Sequence, residues 1–374
     1  MLITRASLVL SLIASAVLSP LAGQAPPRPD SGAAAQQGRK AKKDAPPRPA
    51  ALFASATPLE ATLTLNVKRI LGDRDTTKHE HPYRPATLVY QDSAGHALTI
   101  PMEVRVRGIW RLQNCQFPPL RLRIAKDKAA GTLFERERTP KLVTHCRNSD
   151  EFEQYVLHEY AIYKMQALLT PVALNARLAR LTYVDSASGK VAATRAGFFL
   201  EDEDNLARRL GAKVLAVTGV PADQLDPYET LVMSLFQYMI GNTDWSVGAL
   251  HNVHIVQEQI KDSVEGPRAY AIVYDWDWTG LVNTRYAVPS PRLRIRTVRD
   301  RLYRGVCPRP GDLERATALF NEKRAAILAV YDQVPGLSPG LIRDSRSYVE
   351  DFYRILNDPR VVRREIIGEC GRAG

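Results

Sequence analysis

Apolar and polar residues alternate regularly between about residues 59 and 143, and this alternation constrains the fold more than any other feature of the chain. Residues 63–67 place leucine and valine at every second position, and residues 104–107 and 120–124 repeat the pattern with arginine at the polar positions. Successive side chains of an extended chain point to opposite faces, so this spacing is typical of strands with one buried face. The stretch therefore predicts an antiparallel sheet.

Later segments carry apolar residues at the three- and four-residue spacing of a helix. Residues 150–169 are the clearest case, because Asp150 and Glu151 place negative charge at the helix start and Pro171 follows its end. Two further strands are expected after this helix, and then mainly helices. The expected strands are residues 176–184 and 195–200, and the expected helices are residues 227–240, 313–334 and 341–356.

The N-terminal segment has the composition of an export signal. In residues 1–25, a lone Arg5 precedes the apolar run 8–14, and small residues near the end offer a cleavage site. The apolar run is too short for a comfortable membrane span, so we expect no integral span after signal removal, with an uncleaved anchor as the alternative. Residues 26–50 are rich in proline, alanine and basic residues and predict a disordered linker. A secreted, periplasmic or cell-envelope location follows.

The net charge of +11 gives little indication of a nucleic-acid partner. Residues 1–50 contain seven Lys or Arg and two Asp, which is +5, so the remaining chain carries only +6. A basic tail of this kind is more typical of a solvated segment near an anionic cell surface. We therefore predict no nucleic-acid partner.

The four cysteines are Cys115, Cys146, Cys307 and Cys370. An even number in an exported chain favours disulfides, and three pairings are possible. We predict Cys115–Cys146 and Cys307–Cys370, so that each bond lies within one half of the chain. No two cysteines form a CxxC pair, which argues against a structural zinc site.

Two polar segments interrupt the apolar stretches of the second half. The first is residues 241–245, followed by His251 and Asn252 at the head of a strand-like run; the second is residues 273–280. Carboxylates and amides next to buried strands need a cation or hydrogen-bond partners. An Asp, a downstream Asn and an Asp from the next strand are the groups with which protein kinases orient an acceptor hydroxyl and hold magnesium.

Asp275 and Asp277 lie two residues apart, so in an extended segment both side chains project from one face. Two adjacent carboxylates repel each other unless a cation lies between them. Mg²⁺ favours oxygen ligands of this type. The pair therefore predicts a metal site, and hydrated carboxylates at an exposed strand end are the alternative.

Seven short motifs follow one another between about residues 100 and 305. They are residues 104–108, 117–122, 141–146, 198–204, 241–245, 251–252 and 274–277. Together they resemble the CotH family of secreted atypical protein kinases, in its exported bacterial branch. The resemblance implies an α+β, protein-kinase-like bilobal fold. It would consist of an antiparallel-sheet N-lobe over residues 51–204 with one long helix, and a mainly helical C-lobe over residues 205–374.

The resemblance also implies roles for the polar segments. Asp244 would orient the acceptor hydroxyl and accept its proton, with Asn242 as the second catalytic residue of the same turn. Asn252, Asp275 and Asp277 would bind Mg²⁺ or Mn²⁺. Asn252 follows Asp244 by eight residues rather than the five of ordinary kinases, so the intervening residues must form an excursion. The alternative is that Asn242 and Asp244 only cap the turn.

Nucleotide-binding residues are expected in the first half of the chain. Lys141 would contact the phosphates in an ion pair with Glu159, or alternatively with Glu153. Arg107 is another phosphate-binding candidate, since its donors suit phosphate oxygens. Glu201 belongs to the expected hinge where adenine would lie. Arg121 and Arg123 are further candidates, and a solvated sheet face is the alternative for each of these arginines.

The sequence thus predicts an exported kinase that transfers the γ-phosphate of ATP to hydroxyls of secreted or cell-envelope proteins, with Mg²⁺ or Mn²⁺. Two alternatives remain open. One is a pseudokinase or binding module that recognises a partner without turnover. The other is a metal-dependent hydrolase that acts on a phosphoester through a metal-bound water.

Overall fold

The computed structural model describes residues 49–78, 81–260 and 266–371. The predicted signal peptide over residues 1–25 and nearly all of the predicted linker over residues 26–50 lie outside the described residues.

The alternating half of the chain forms a closed β-barrel. Its strands follow the order β1-β2-β3-β4-β5-β7-β6, and every neighbouring pair is antiparallel except the pair that closes the barrel. The strands are β1 Leu59–Leu65, β2 Arg84–Gln91, β3 Ala97–Val106, β4 Leu120–Arg123, β5 Lys141–Val143, β6 Ala176–Asp185 and β7 Val191–Leu200.

Closure of the barrel depends on a parallel pair between β1 and β6, with Leu59 opposite Ala179 and Leu65 opposite Asp185. The predicted protein-kinase-like bilobal fold with an antiparallel-sheet N-lobe is therefore wrong. The observed architecture is a closed barrel of mixed strands with helices and a separate small sheet. The alternation specified which faces are buried, but it carries no information about the pairing of strands more than a hundred residues apart.

Strands β5, β6 and β7 contribute side chains to two hydrophobic cores. Leu142 and Phe199 fill the barrel interior, whereas Val143 and Phe198 face outwards and belong to the core formed with the helices. All four are buried, because both faces are covered along β5 and along the part of β7 that pairs with it. Successive side chains alternate between the faces, so neighbouring residues of one strand enter different cores.

The helices surround this outer core. The predicted helix over residues 150–169 is confirmed, and so is the helix over residues 227–240, which ends at Gly241. The helices are α1 Val67–Gly72, α2 Trp110–Asn114, α3 Lys126–Ala129, α4 Asp150–Leu169, α5 Glu203–Arg209, α6 Pro227–Ile240, α7 Asp312–Ala329, α8 Pro339–Leu356 and α9 Pro359–Val362. In the described part of the chain, none of them has the length and apolar character needed to cross a membrane.

A three-stranded antiparallel sheet carries the polar segments. Its strands are β8 Ala212–Leu215, β9 Val253–Glu258 and β10 Ala269–Val273, with β9 in the centre. Glu201, expected in a hinge, lies two residues before α5, and the Asp202 side chain caps this helix by accepting a hydrogen bond from the N–H of Asp204. Both predicted disulfides, Cys115–Cys146 and Cys307–Cys370, are confirmed.

Candidate functional site

The site begins at one end of the β9–β10 hairpin. The register pairs Val253 with Val273, so Asn252 before β9 and Asp275 after β10 lie at the same end. The N–H of Tyr274 donates to the carbonyl of Asn252 over 3.1 Å. Asn252 and Asp275 have φ angles of 53° and 69°. Such left-handed backbone at non-glycine residues is uncommon and clusters at functional sites.

The turn after α6 places Asp244 beside this hairpin end. The helix ends at Gly241, whose φ is 65° and where an added Cβ would lie 2.1 Å from the Tyr348 hydroxyl oxygen. Asn242 follows and is buried; its Oδ1 accepts from the N–H of Asp244 over 2.9 Å, and its Nδ2 donates to Gln237 over 3.0 Å. Asn242 therefore holds the backbone of the turn.

Both carboxylate oxygens of Asp244 have partners. His251 Nε2 lies 2.8 Å from Oδ1, and Asn252 Nδ2 donates to Oδ2 over 3.1 Å. The same Nδ2 group lies 2.8 Å from the backbone carbonyl of Asp244. The excursion expected between Asp244 and Asn252 is closed by a backbone bridge between Ser246 and His251. With 39 % of its side chain exposed, Asp244 is oriented but still accessible.

A second cluster joins the other carboxylates around Arg111. Arg111 Nη2 lies 2.8 Å from Glu159, 3.3 Å from Asp275 and 3.1 Å from Asp277, and Arg111 Nε donates to Asp277 over 3.2 Å. The Tyr286 hydroxyl donates to the same oxygen of Asp277 over 2.9 Å. The cation between Asp275 and Asp277 is thus a guanidinium of the chain itself.

Burial and charge act against each other in this cluster. Burial alone would lower the pKa of Arg111, but the attraction of Asp277, Glu159 and Asp275 outweighs it and raises the pKa above its ordinary value. Burial raises the pKa of Glu159 and of Asp277, and repulsion from Asp275 adds to both effects, while Arg111 opposes them. Arg111 therefore stays charged, and the carboxylates compete for it.

The sequence alone did not single out Arg111. It lies on the short helix α2, which follows Gly108, a residue with a φ of 88°. The ring of Trp110 packs 4.4 Å from Tyr286 and 5.9 Å from Trp278 between centroids. The sequence does indicate that a positive charge is needed near Asp275 and Asp277, because adjacent carboxylates next to a buried strand require a counter-charge. It does not indicate which of the many arginines of the chain supplies that charge.

Lys141 forms a different ion pair from the one predicted. Its Nζ lies 2.5 Å from Glu203 rather than next to Glu159, and 5.1 Å from the ring centroid of Tyr274. Burial lowers the pKa of Lys141, against the attraction of Glu203, and the charge of half-buried Arg107 lowers it further. Lys141, its partner Glu203 and Arg107 therefore lie close enough next to Tyr274 for their charges to interact.

Glu201 has structural partners. Its Oε2 accepts from the backbone N–H of Asn175 over 3.0 Å and from Asn175 Nδ2 over 2.8 Å, and Arg209 forms an ion pair with it at 3.0 Å. A cavity of about 620 Å³ lies beside it and is lined by Glu137, Asp202 and other charged residues. Glu201 thus borders a cavity while its own carboxylate is engaged.

The donor chemistry fits a divalent cation at the hairpin end but not at Asp277. Among residues 49–78, 81–260 and 266–371, no three His, Cys, Asp or Glu side chains form a group that could hold a metal ion. Mg²⁺, however, commonly takes only one or two protein oxygens and completes its shell with phosphates and water. The amide oxygen of Asn252 and the second carboxylate oxygen of Asp275, whose Oδ1 accepts from Arg111, are of the right type for such a site, whereas the Oδ2 of Asp277 is engaged by both Arg111 and Tyr286.

The structure thus brings Asp244, Asn252 and Asp275 to one place and engages Asp277 and Glu159 with Arg111. A scan of this chain against models of known protein families gives no match, and a search of curated proteins gives none either.

Proposed function

We propose that the protein transfers the γ-phosphate of ATP to hydroxyl groups of secreted or cell-envelope proteins. The observation that supports this proposal is the position of Asp244: a half-exposed carboxylate, oriented by His251 and Asn252, beside the hairpin end that carries Asp275. Phosphoryl transfer depends mainly on positioned groups and fixed charges, and this arrangement supplies both.

Asp244 would act on the acceptor. The acceptor hydroxyl oxygen forms a bond to the γ-phosphorus, the bond from that phosphorus to the β,γ-bridging oxygen breaks, and ADP leaves. The hydroxyl proton passes to the carboxylate of Asp244. The bonds from His251 and Asn252 limit the rotation of that carboxylate, so its position is set before the acceptor binds.

The region around Tyr274 would receive the nucleotide. Lys141 and Arg107 lie near Tyr274, directly before Asp275. Asn252 and Asp275 would hold Mg²⁺ or Mn²⁺, which when bound supplies charge neutralisation for the phosphate oxygens. The two disulfides are compatible with a secreted protein.

Phosphate transfer from labelled ATP in the presence of Mn²⁺ tests the proposal, with the purified protein itself and a generic acidic protein as acceptors. Asp244→Asn should lower labelling about a hundredfold or more, and Asp275→Ala should abolish it. Asp127→Asn, at an exposed position of α3, is the matched control and should keep full activity. Full labelling by Asp244→Asn would refute the proposed role.

A nucleotide-binding module without turnover is the second candidate. It is favoured by one observation: Arg111 already occupies the space between Asp275 and Asp277. Thermal stabilisation by ATP without any protein labelling would select this candidate over the first.

A further inference from the structure

Arg111 has a fixed position in the site. Its short helix α2 is joined to the segment before α4 by the Cys115–Cys146 disulfide, and Glu159 of α4 accepts its shortest hydrogen bond, at 2.8 Å. The ring of Trp110, on the same helix, also packs on Tyr286. Only 11 % of the Arg111 side chain is exposed. The guanidinium is therefore preorganised rather than mobile.

The hydrogen bonds of Arg111 involve only two of its three guanidinium nitrogens. Nε and Nη2 bind the carboxylates of Glu159, Asp275 and Asp277. Among the residues that the structure describes, Nη1 makes no hydrogen bond, and Arg111 has no fully buried nitrogen that lacks a partner. An arginine with two groups anchored and a third available can bind a phosphate oxygen without losing its anchors.

Lys141 is less suited to this task than its sequence position suggested. Its ammonium is buried and paired with Glu203, which also contacts Arg121. In protein kinases, the cation that binds the α- and β-phosphates is the one paired with a helix glutamate. In this chain the helix glutamate is Glu159, and its partner is Arg111.

We propose that Arg111, anchored by Glu159 and Asp277, binds the phosphate groups of the nucleotide. This inference rests on the proposed function. In this arrangement Asp277 positions Arg111 and does not bind the metal. Asp275 then faces the divalent cation. The remaining N–H donors of Arg111 would then add hydrogen bonds to the phosphate oxygens beside Asp275.

The test measures nucleotide affinity by calorimetry, without divalent cations, for ATP, ADP and adenosine. We expect the wild-type protein to bind ATP more tightly than adenosine. Arg111→Met should lower the ratio of the two affinities about ten- to a hundredfold and leave adenosine binding unchanged. Arg111→Lys keeps the positive charge but loses the planar guanidinium group, so it should give an intermediate ratio of the ATP and adenosine affinities. Arg180→Met, at an exposed position on β6, is the control and should match the wild type.

Arg111→Met leaves three carboxylates without their cation, so its folding is checked by circular dichroism. If it does not fold, Arg111→Met combined with Asp277→Asn reduces the repulsion and takes its place, with Asp277→Asn alone as reference. An unchanged ATP-to-adenosine ratio in a folded variant that lacks Arg111 would overturn this inference alone. Failure of the wild-type protein to bind ATP under any condition, with Mn²⁺ included, would overturn the proposed function as well.

Discussion

The ammonium of Lys141 lies 2.5 Å from a carboxylate oxygen of Glu203, and both groups are largely buried. Loss of one partner leaves the other charge buried and unpaired. We therefore expect Glu203→Gln to lower the free energy of unfolding by about 3–5 kcal/mol. Urea denaturation measures this change.

The matched comparison for that pair is the double variant Glu203→Gln with Lys141→Met. Since it removes both charges together, it should recover most of the lost stability. Stability equal to that of Glu203→Gln alone would show that the pair is not the source of the loss.

Substitution of Gly241 should destabilise the protein more than substitution of another glycine with the same backbone conformation. Gly241 and Gly211 have φ angles of 65° and 66°, but an added Cβ meets Tyr348 only at Gly241, while at Gly211 nothing lies within 4 Å. Gly211→Ala should cost about 1 kcal/mol, and Gly241→Ala about 1–3 kcal/mol more. Thermal denaturation of the two variants compares them, and equal losses would contradict the steric argument.

Asn242 should support activity through the backbone of its turn. Asn242→Ala removes the acceptor for the N–H of Asp244 and the donor to Gln237. We expect a loss of about 1–3 kcal/mol in stability and a fall in kcat, with KM for ATP little changed because Asn242 does not face the nucleotide region. Steady-state kinetics with labelled ATP measures both constants. A change in KM alone would contradict this role.

The two disulfides should have different effects on nucleotide binding. Replacement of either pair by serine should lower stability by about 2–5 kcal/mol. Only the Cys115–Cys146 pair lies next to the helix of Arg111, so only its removal should lower the preference for ATP over adenosine. The Cys307–Cys370 variant is the control for general destabilisation. Equal ratios in both variants would show that the first disulfide does not position Arg111.

Glu137 should make stability depend on pH. Burial, with repulsion from Glu201 and Asp202, raises the pKa of Glu137 from 4.5 to about 9. The folded protein then binds a proton that the unfolded chain releases, so this contribution is complete below about pH 4.5 and is lost as pH rises towards 9. Glu137→Gln should remove a fall of up to about 1.4 kcal/mol per pH unit in that range. Urea denaturation from pH 5 to 8.5 measures the slope, and identical slopes in the two proteins would contradict the assignment.

The sequence predicted local features of this fold well and long-range ones poorly. The bounds of α4, the end of α6 at Gly241 and the cysteine pairs follow from local spacing and chain position. The parallel contact of β1 with β6 does not, because strand alternation is the same for either direction of pairing. Asp244, Asn252 and Asp275 were predicted because short motifs carry them. The partners of Lys141 and Glu159 depend on how distant segments pack, so the ion pair predicted between these two residues was wrong.

The burial of both faces of β5, and of the adjoining ends of β6 and β7, has a consequence for dissecting this protein. A chain cut after residue 204, at the boundary once expected between two lobes, would keep the barrel strands but expose outward-facing side chains such as Val143 and Phe198 to water. Exposed apolar strands of this kind promote aggregation. The barrel and the helices should therefore melt in a single transition, and neither half should yield a soluble fragment when expressed alone.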